Sequence, residues 1–224
     1  MKIALILLAG GRSLRMGTNV SKVFFKFRDK PIVLYSLEPF LQIEQIGQIV
    51  VVCPEEDRHY FKGDFTFASP GKERFLSLEN GLIACNPSIE YVLVHDAARP
   101  LVIKEDIERL IDIGIRHDGA TLGAKMRSTV VSISQGKDIE TIVDREHLWE
   151  TYTPQFAPVK ALLKGISMSK EQDLTPTDEM SLLKSQGLFP QIIEASFPNL
   201  KITYPSDLPL VTSLIDQLYG PVQV

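Results

Sequence analysis

Ile3-Ala4-Leu5-Ile6-Leu7-Leu8-Ala9-Gly10-Gly11-Arg12-Ser13-Leu14-Arg15-Met16-Gly17, followed by Ser21-Lys22, is the stretch that sets the fold. Its first half is an unbroken apolar run, as expected of a parallel strand covered on both faces. Its second half begins with adjacent glycines, which let backbone N–H groups approach an anion closely. The loop lacks the Lys-Ser/Thr of a Walker A motif and the third glycine of a dinucleotide fingerprint. It carries cations of its own instead, Arg12, Arg15 and Lys22. Cations so placed suit a triphosphate, where charge gathers on the α-phosphate and the departing pyrophosphate.

Outward from this stretch, short apolar runs alternate with amphipathic ones, the pattern of βαβ units. Strands are predicted at 3–8, 49–53, 65–68, 91–95, 120–124 and 192–195, and helices at 31–41, 72–84, 104–116 and 206–218. Ile103, Ile107, Leu110, Ile111 and Ile115 recur at helical spacing and predict one buried stripe. Thr129–Ile133 and Ile139–Val143 break the pattern. They flank Gln135-Gly136-Lys137 and predict a β-hairpin, which is marginal alone and needs something to pack on. The expected architecture is an α/β, Rossmann-like, mostly parallel sheet flanked by helices. It forms one domain over residues 1–224 with an inserted β-arm at about 127–147.

The bulk numbers narrow the function. A chain of 224 residues, 44% hydrophobic and 23% charged, is an ordinary globular enzyme in composition. A net charge of −4 argues against a nucleic-acid partner. The apolar start is too short to cross a membrane, and its double glycine and cationic loop make poor cleavage-site context. Cys53 and Cys85 are too few for a disulfide framework and read as lone buried thiols in a reducing, cytoplasmic setting.

Further clusters carry candidate chemistry. In His95-Asp96-Ala97-Ala98-Arg99-Pro100, Asp96 falls at the carboxyl edge of the sheet, where open α/β folds bind ligands. There it is either a Mg²⁺ ligand or a cap paired with Arg99. His95 reads as a packed strand-end histidine, since a phosphate nucleophile is already ionised. Ser69-Pro70-Gly71-Lys72-Glu73-Arg74-Phe75-Leu76-Ser77 leads into a helix and is either an ordinary turn or a base and phosphate contact. Taken singly, Arg145 and Lys201 read as solvated surface cations and Trp149 as core.

Together with Val143-Asp144-Arg145, Thr153-Pro154-Gln155-Phe156, Thr177-Asp178-Glu179 and Asn199-Leu200-Lys201-Ile202-Thr203, these clusters resemble, in order and nearly end to end, the 2-C-methyl-D-erythritol 4-phosphate cytidylyltransferases of the non-mevalonate isoprenoid pathway. The glycine loop alone is shared with many nucleotidyltransferases; the combination is far narrower. The resemblance implies transfer of a cytidylyl group from CTP to methylerythritol phosphate, with Mg²⁺, in a homodimer with exchanged arms. It implies that Arg15 and Lys22 stabilise the α-phosphate and leaving pyrophosphate, and that Ala9, Gly10 and Gly11 cradle the nucleotide. Gly71 and Ser77 match positions that recognise cytosine, and Asp96 the metal-binding aspartate. Lys201 and Arg145 match residues that hold the acceptor phosphate, Arg145 from the neighbouring subunit, with Arg99, Thr153 and Thr129 beside it.

The chain departs from the family pattern at Ser13, where a glycine is frequent, and at Lys72, where an acidic residue is usual. Arg127-Ser128-Thr129-Val130-Val131 lacks the usual aspartate and lysine. Arg12 has no counterpart role. Three rival readings remain. Ribitol-5-phosphate cytidylyltransferases share the scaffold. A molybdenum-cofactor guanylyltransferase leaves the hairpin and Lys201 unexplained. A non-catalytic nucleotide sensor predicts the loss of a cation or of Asp96, all of which are present.

Overall fold

The computed structural model describes residues 2–11 and 22–220. Its elements run β1 (Ile3–Leu8), β2 (Lys26–Phe27), β3 (Lys30–Pro31), α1 (Ile32–Leu41), β4 (Ile46–Val52), β5 (Thr66–Ala68), α2 (Arg74–Ile83) and β6 (Tyr91–Asp96). They continue with α3 (Lys104–Gly114), β7 (Ala120–Lys125), β8 (Val130–Ile133), β9 (Ile139–Val143), β10 (Trp149–Pro158), α4 (Val159–Glu171), α5 (Glu179–Lys184), β11 (Gln191–Glu194) and α6 (Asp207–Tyr219). Seven strands form one sheet in the order β11-β7-β10-β6-β1-β4-β5. Only β10 in this sheet runs against its neighbours, β6 and β7.

β1 is buried on both faces, as its unbroken apolar run requires. Ile3, Leu5 and Leu7 pack into the core layer with α1, α3 and α6, while Ala4 and Ile6 pack opposite them with α2 and α4. The predicted stripe on α3 is real: Ile107, Leu110 and Ile111 are buried, although Ile115 lies past the helix end and is exposed. From β1 the chain crosses to β4 and β5 on one side and returns to β6 on the other. The order therefore reverses at β1 and β6, whose ends lie in register with Leu8 opposite Asp96. The crevice outside such a reversal is where open α/β sheets bind ligands.

The short pair β2 and β3, and the longer β10, α4 and α5, have no counterpart in the strands and helices expected from sequence. Strand β10 contains Pro154 and Pro158 and several polar residues, yet Phe156 and Ala157 lie in the core. The expected hairpin is present as β8 and β9, paired antiparallel with each other. It grows out of the β7–β10 ladder, where Met126 N–H donates to the Leu148 carbonyl. Ile133, Ile139 and Ile142 on it are exposed. Cys53 is buried, whereas Cys85 is only half-buried, and both are free thiols. No helix among the described residues is long and apolar enough to cross a membrane.

Candidate active site

Two cavities open at the reversal point. The larger, about 490 Å³, is lined on its floor by Leu8, Gly10, Gly11 and Lys22, on one side by Pro70–Arg74 and Ser77, and on the other by Asp96, Ala98, Lys201 and Thr203. The smaller, about 190 Å³, is lined by Arg99, Thr153, Gln155 and Asp178, among others. Arg74, Asp96 and Lys201 belong to both and form the partition between them.

The glycines of the larger cavity are required by close approach. A Cβ on Gly10 would lie 2.4 Å from the Pro70 Cβ, and one on Gly71 would lie 2.8 Å from the Leu76 carbonyl carbon. Gly10 thus lets Pro70 close against the loop after β1, and Gly71 lets its loop lie against the first turn of α2. Gly71 N–H donates to Ser77 Oγ at 2.9 Å, which ties the loop before α2 to that helix. Ala97 N–H donates to the Leu8 carbonyl, and Ala9 N–H to the Val52 carbonyl. These bonds carry the sheet ladder into the two loops that face each other across the crevice.

Asp96 is the electrostatic centre. Its Oδ1 accepts from Arg74 Nε at 3.1 Å, its Oδ2 accepts from Lys201 Nζ at 2.7 Å, and Arg99 Nε lies 3.8 Å from Oδ2. Burial alone raises a carboxyl pKa; here Arg74, Lys201 and Arg99 outweigh it and hold Asp96 well below the usual carboxylate range. Arg74 also donates through Nη1 and Nη2 to the two oxygens of the fully buried Glu179, at 2.7 and 3.2 Å. Burial works against the Arg74 charge, but Glu179 and then Asp96 raise its pKa, so the guanidinium stays charged.

His95 lies directly beneath this knot, fully buried, and burial pushes its pKa down to about 3. Its Nε2 faces the Arg99 carbonyl at 3.1 Å. A carbonyl can only accept, so Nε2 carries the proton of the neutral ring. Nδ1 then accepts from the Thr153 hydroxyl at 3.1 Å, and that hydroxyl accepts from Asp96 N–H at 3.0 Å. Asn199 completes the frame, donating through Nδ2 to the Thr153 carbonyl at 2.6 Å and accepting at its own carbonyl from Arg99 Nη1 at 2.7 Å. Backbone and side chains of Asp96, Arg99 and Thr153 are thus fixed by one network in which His95 is a packed, neutral node.

The sequence-derived residues fall into three groups. Gly10, Gly11, Lys22, Gly71, Ser77, Asp96 and Lys201 line the larger cavity, with Ala9 buried behind the loop; Arg99 and Thr153 line the smaller one. Lys72, the departure from the family pattern, also lines the larger cavity. Thr129 and Arg145 are exposed and line neither cavity; Arg145 instead donates to the Arg127 carbonyl at the base of the arm. Arg15, together with Arg12 and Ser13, lies outside the described residues. Trp149 is half-buried at the start of β10, with Lys125 Nζ 5.8 Å from its ring centre. Sequence reasoning missed Arg74 and Glu179, which were quoted within motifs but given no role. Their signal is the pairing itself, across 105 positions of chain.

Known proteins resemble this chain in both sequence and fold. A family model described as 2-C-methyl-D-erythritol 4-phosphate cytidylyltransferase (IspD) matches residues 3–217. The chain is 34% identical over 222 residues to the chloroplastic 2-C-methyl-D-erythritol 4-phosphate cytidylyltransferase of Oryza sativa subsp. japonica, covering 96% of this chain and 75% of that one. It is 35% identical over 221 residues to the enzyme of the same name from Vibrio parahaemolyticus, covering 95% and 94%. Among solved structures, that of the Francisella tularensis 2-C-methyl-D-erythritol 4-phosphate cytidylyltransferase superposes with a TM-score of 0.81 at 25% identity, covering 96% of this chain and all of the other.

Proposed function

Because the chain belongs to the 2-C-methyl-D-erythritol 4-phosphate cytidylyltransferase family, we propose that its two cavities divide CTP and the acceptor between them at Asp96 and Lys201. The protein transfers a cytidylyl group from CTP to 2-C-methyl-D-erythritol 4-phosphate in isoprenoid biosynthesis, and this reading is favoured over ribitol 5-phosphate as acceptor. An oxygen of the acceptor phosphate attacks the CTP α-phosphorus and forms a new P–O bond. The bond to the bridging oxygen breaks in line, and pyrophosphate departs with that electron pair. The acceptor is already an anion, so the step needs positioning and charge stabilisation more than a base.

The larger cavity takes CTP, with the triphosphate over Gly10, Gly11 and Lys22 and the base toward Gly71 and Ser77. Arg15 joins Lys22 in stabilising the α-phosphate and the leaving group. The acceptor phosphate lies toward Arg99, Thr153 and Lys201. The observation that carries this division is the shared partition: Lys201 reaches both cavities from one side chain. Arg99 supports it, because its side chain lines the smaller cavity. A guanidinium there suits a phosphate.

A divalent ion fits this donor set when it arrives with the nucleotide. No group of three or more His, Cys, Asp or Glu side chains gathers among the described residues, so the protein offers no complete cage. Asp96 is one ionised carboxylate at the cavity wall, and a carboxylate has more lone-pair positions than its present bonds use. Mg²⁺ is commonly held by one or two carboxylates together with substrate phosphates. Bound there, it supplies charge neutralisation on the triphosphate. Pyrophosphate release is therefore expected to stop in excess chelator and to return with added Mg²⁺; undiminished turnover in chelator contradicts metal dependence.

The arm supports a homodimer. Ile133, Ile139 and Ile142 are exposed on a two-stranded ribbon, which is not independently stable in water. A second subunit provides the missing cover and receives Arg145 and Thr129 in its acceptor site.

A further inference from the structure

Arg74 stands between two carboxylates, and only one of them faces the substrates. Asp96 lines both cavities, whereas Glu179 is wholly buried and lines neither. A carboxylate fully removed from water is costly to keep unless it is paired, and the transfer chemistry gives this one no task. Its whole side chain is committed to Arg74, which takes both its oxygens in a two-bond fork.

The consequence lies at Asp96. A guanidinium whose fork is free closes it on the nearest carboxylate, taking both oxygens. Were the Nη groups of Arg74 released, Asp96 would be that carboxylate, because Arg74 Nε already donates to its Oδ1. The second oxygen, Oδ2, is the one that now accepts from Lys201 Nζ. By holding Nη1 and Nη2 end-on, Glu179 fixes the guanidinium where Nε alone bonds Asp96, and Oδ2 is left to Lys201 and the nucleotide side.

Glu179 is built to hold this station. It is the first residue of α5, and its N–H and that of Met180 both donate to Gln155 Oε1, at 3.0 and 3.2 Å. Gln155 is itself buried in β10, and its Nε2 donates to Asp178 Oδ2 at 3.0 Å. Asp178 caps α5 by accepting from Ser181 N–H. The helix start is thereby fixed to the strand that also carries Thr153.

We propose that Glu179 is a positioning residue for cytidylyl transfer, acting through Arg74 to keep one oxygen of Asp96 available to Lys201. The inference rests on the reading of Asp96 and Lys201 as the junction of the nucleotide and acceptor sites.

The test is a double-mutant cycle read in steady-state pyrophosphate release, on proteins whose thermal unfolding shows them folded at the assay temperature. Glu179→Gln keeps the shape and loses the charge; it is expected to lower kcat by about tenfold or more while the KM for CTP moves by less than about threefold. Arg74→Gln/Glu179→Gln removes the competing fork and is expected to be faster than Glu179→Gln alone, by about threefold or more. A merely structural ion pair predicts a double variant no faster than the single one, and that result overturns the proposal. So does a Glu179→Gln enzyme within about threefold of wild type in kcat. Should Glu179→Gln not fold, the Arg74→Gln background carries the test. There Glu179→Gln must change kcat by less than about threefold, and a further tenfold loss overturns the proposal. Absence of CTP turnover in the wild-type protein would refute the functional reading itself, a failure distinct from any of these.

Discussion

The knot around Asp96 and the hairpin of β8 and β9 hold their charged residues in opposite ways. At the knot, three cations and two carboxylates from four distant parts of the chain neutralise one another within a single protomer. In the hairpin, Arg145 leans on a carbonyl of its own arm and the strands show apolar side chains to water. The first region is satisfied as folded; the second leaves Ile133, Ile139 and Ile142 uncovered. Under the proposed homodimer, the nucleotide half of the site is expected to be an intrachain property, and the acceptor half to be completed by the partner's arm.

The largest effect should come from removing a loop cation from the complete half. Lys22→Ala is expected to lower kcat by about a hundredfold or more, with a much smaller change in CTP affinity, as for loss of a preorganised transition-state contact. Arg15→Ala should behave alike. Turnover near wild type in either variant, measured by pyrophosphate release, would remove those residues from the catalytic step.

Next comes the incomplete half. Arg145→Ala is expected to raise the KM for the acceptor by about tenfold or more while leaving CTP binding alone. The sharper form mixes two weakly active parents, Lys22→Ala and Arg145→Ala, after subunit exchange. If each arm serves its neighbour, about a quarter of the sites in an equal mixture are intact, since half the dimers are mixed and each has one good site. No recovery on mixing would place Arg145 in its own protomer's site, or nowhere.

The smallest effect concerns stability and comes from beneath the knot. His95 is held neutral by burial, with its pKa lowered to about 3 from an unfolded value of 6.5. The unfolded chain then binds a proton that the folded one refuses, so stability falls as pH drops through this window. Between pH 7 and pH 5 the loss is about 2 kcal/mol from this residue. The depressed pKa of Asp96 adds a loss in the same direction at lower pH, beginning as the pH falls through the ordinary carboxylate range. Denaturant melts of wild type and His95→Gln at the two pH values isolate the term; equal pH dependence in both contradicts it.

The two regions also differ in how far the sequence reveals them. The hairpin announces itself, because alternation around Gln135-Gly136-Lys137 is a local pattern. So do β1 and β6, whose apolar runs need no partner to be read. Strand β10 does not, because Pro154 argues against a strand and its polar side chains are satisfied only by distant groups. Thr153 is matched by His95 and Asp96, and Gln155 by the start of α5. In α4 the buried stripe is Leu162, Gly165, Ile166 and Ser169, where small residues dilute the apolar period. Gly165 is needed there because a Cβ would lie 2.8 Å from the Leu182 carbonyl oxygen. Arg74 and Glu179 are silent in sequence because a buried ion pair has no periodicity; only the fold brings its halves together.

CTP and methylerythritol phosphate are proposed to meet across the Asp96–Lys201 partition. The direct measurement is pyrophosphate release by the purified protein with Mg²⁺, crossing CTP, UTP, GTP and ATP with 2-C-methyl-D-erythritol 4-phosphate and ribitol 5-phosphate. Turnover with CTP and methylerythritol phosphate, well above every other pair, is the predicted result. Activity confined to another nucleotide, or faster turnover with ribitol 5-phosphate, would contradict it.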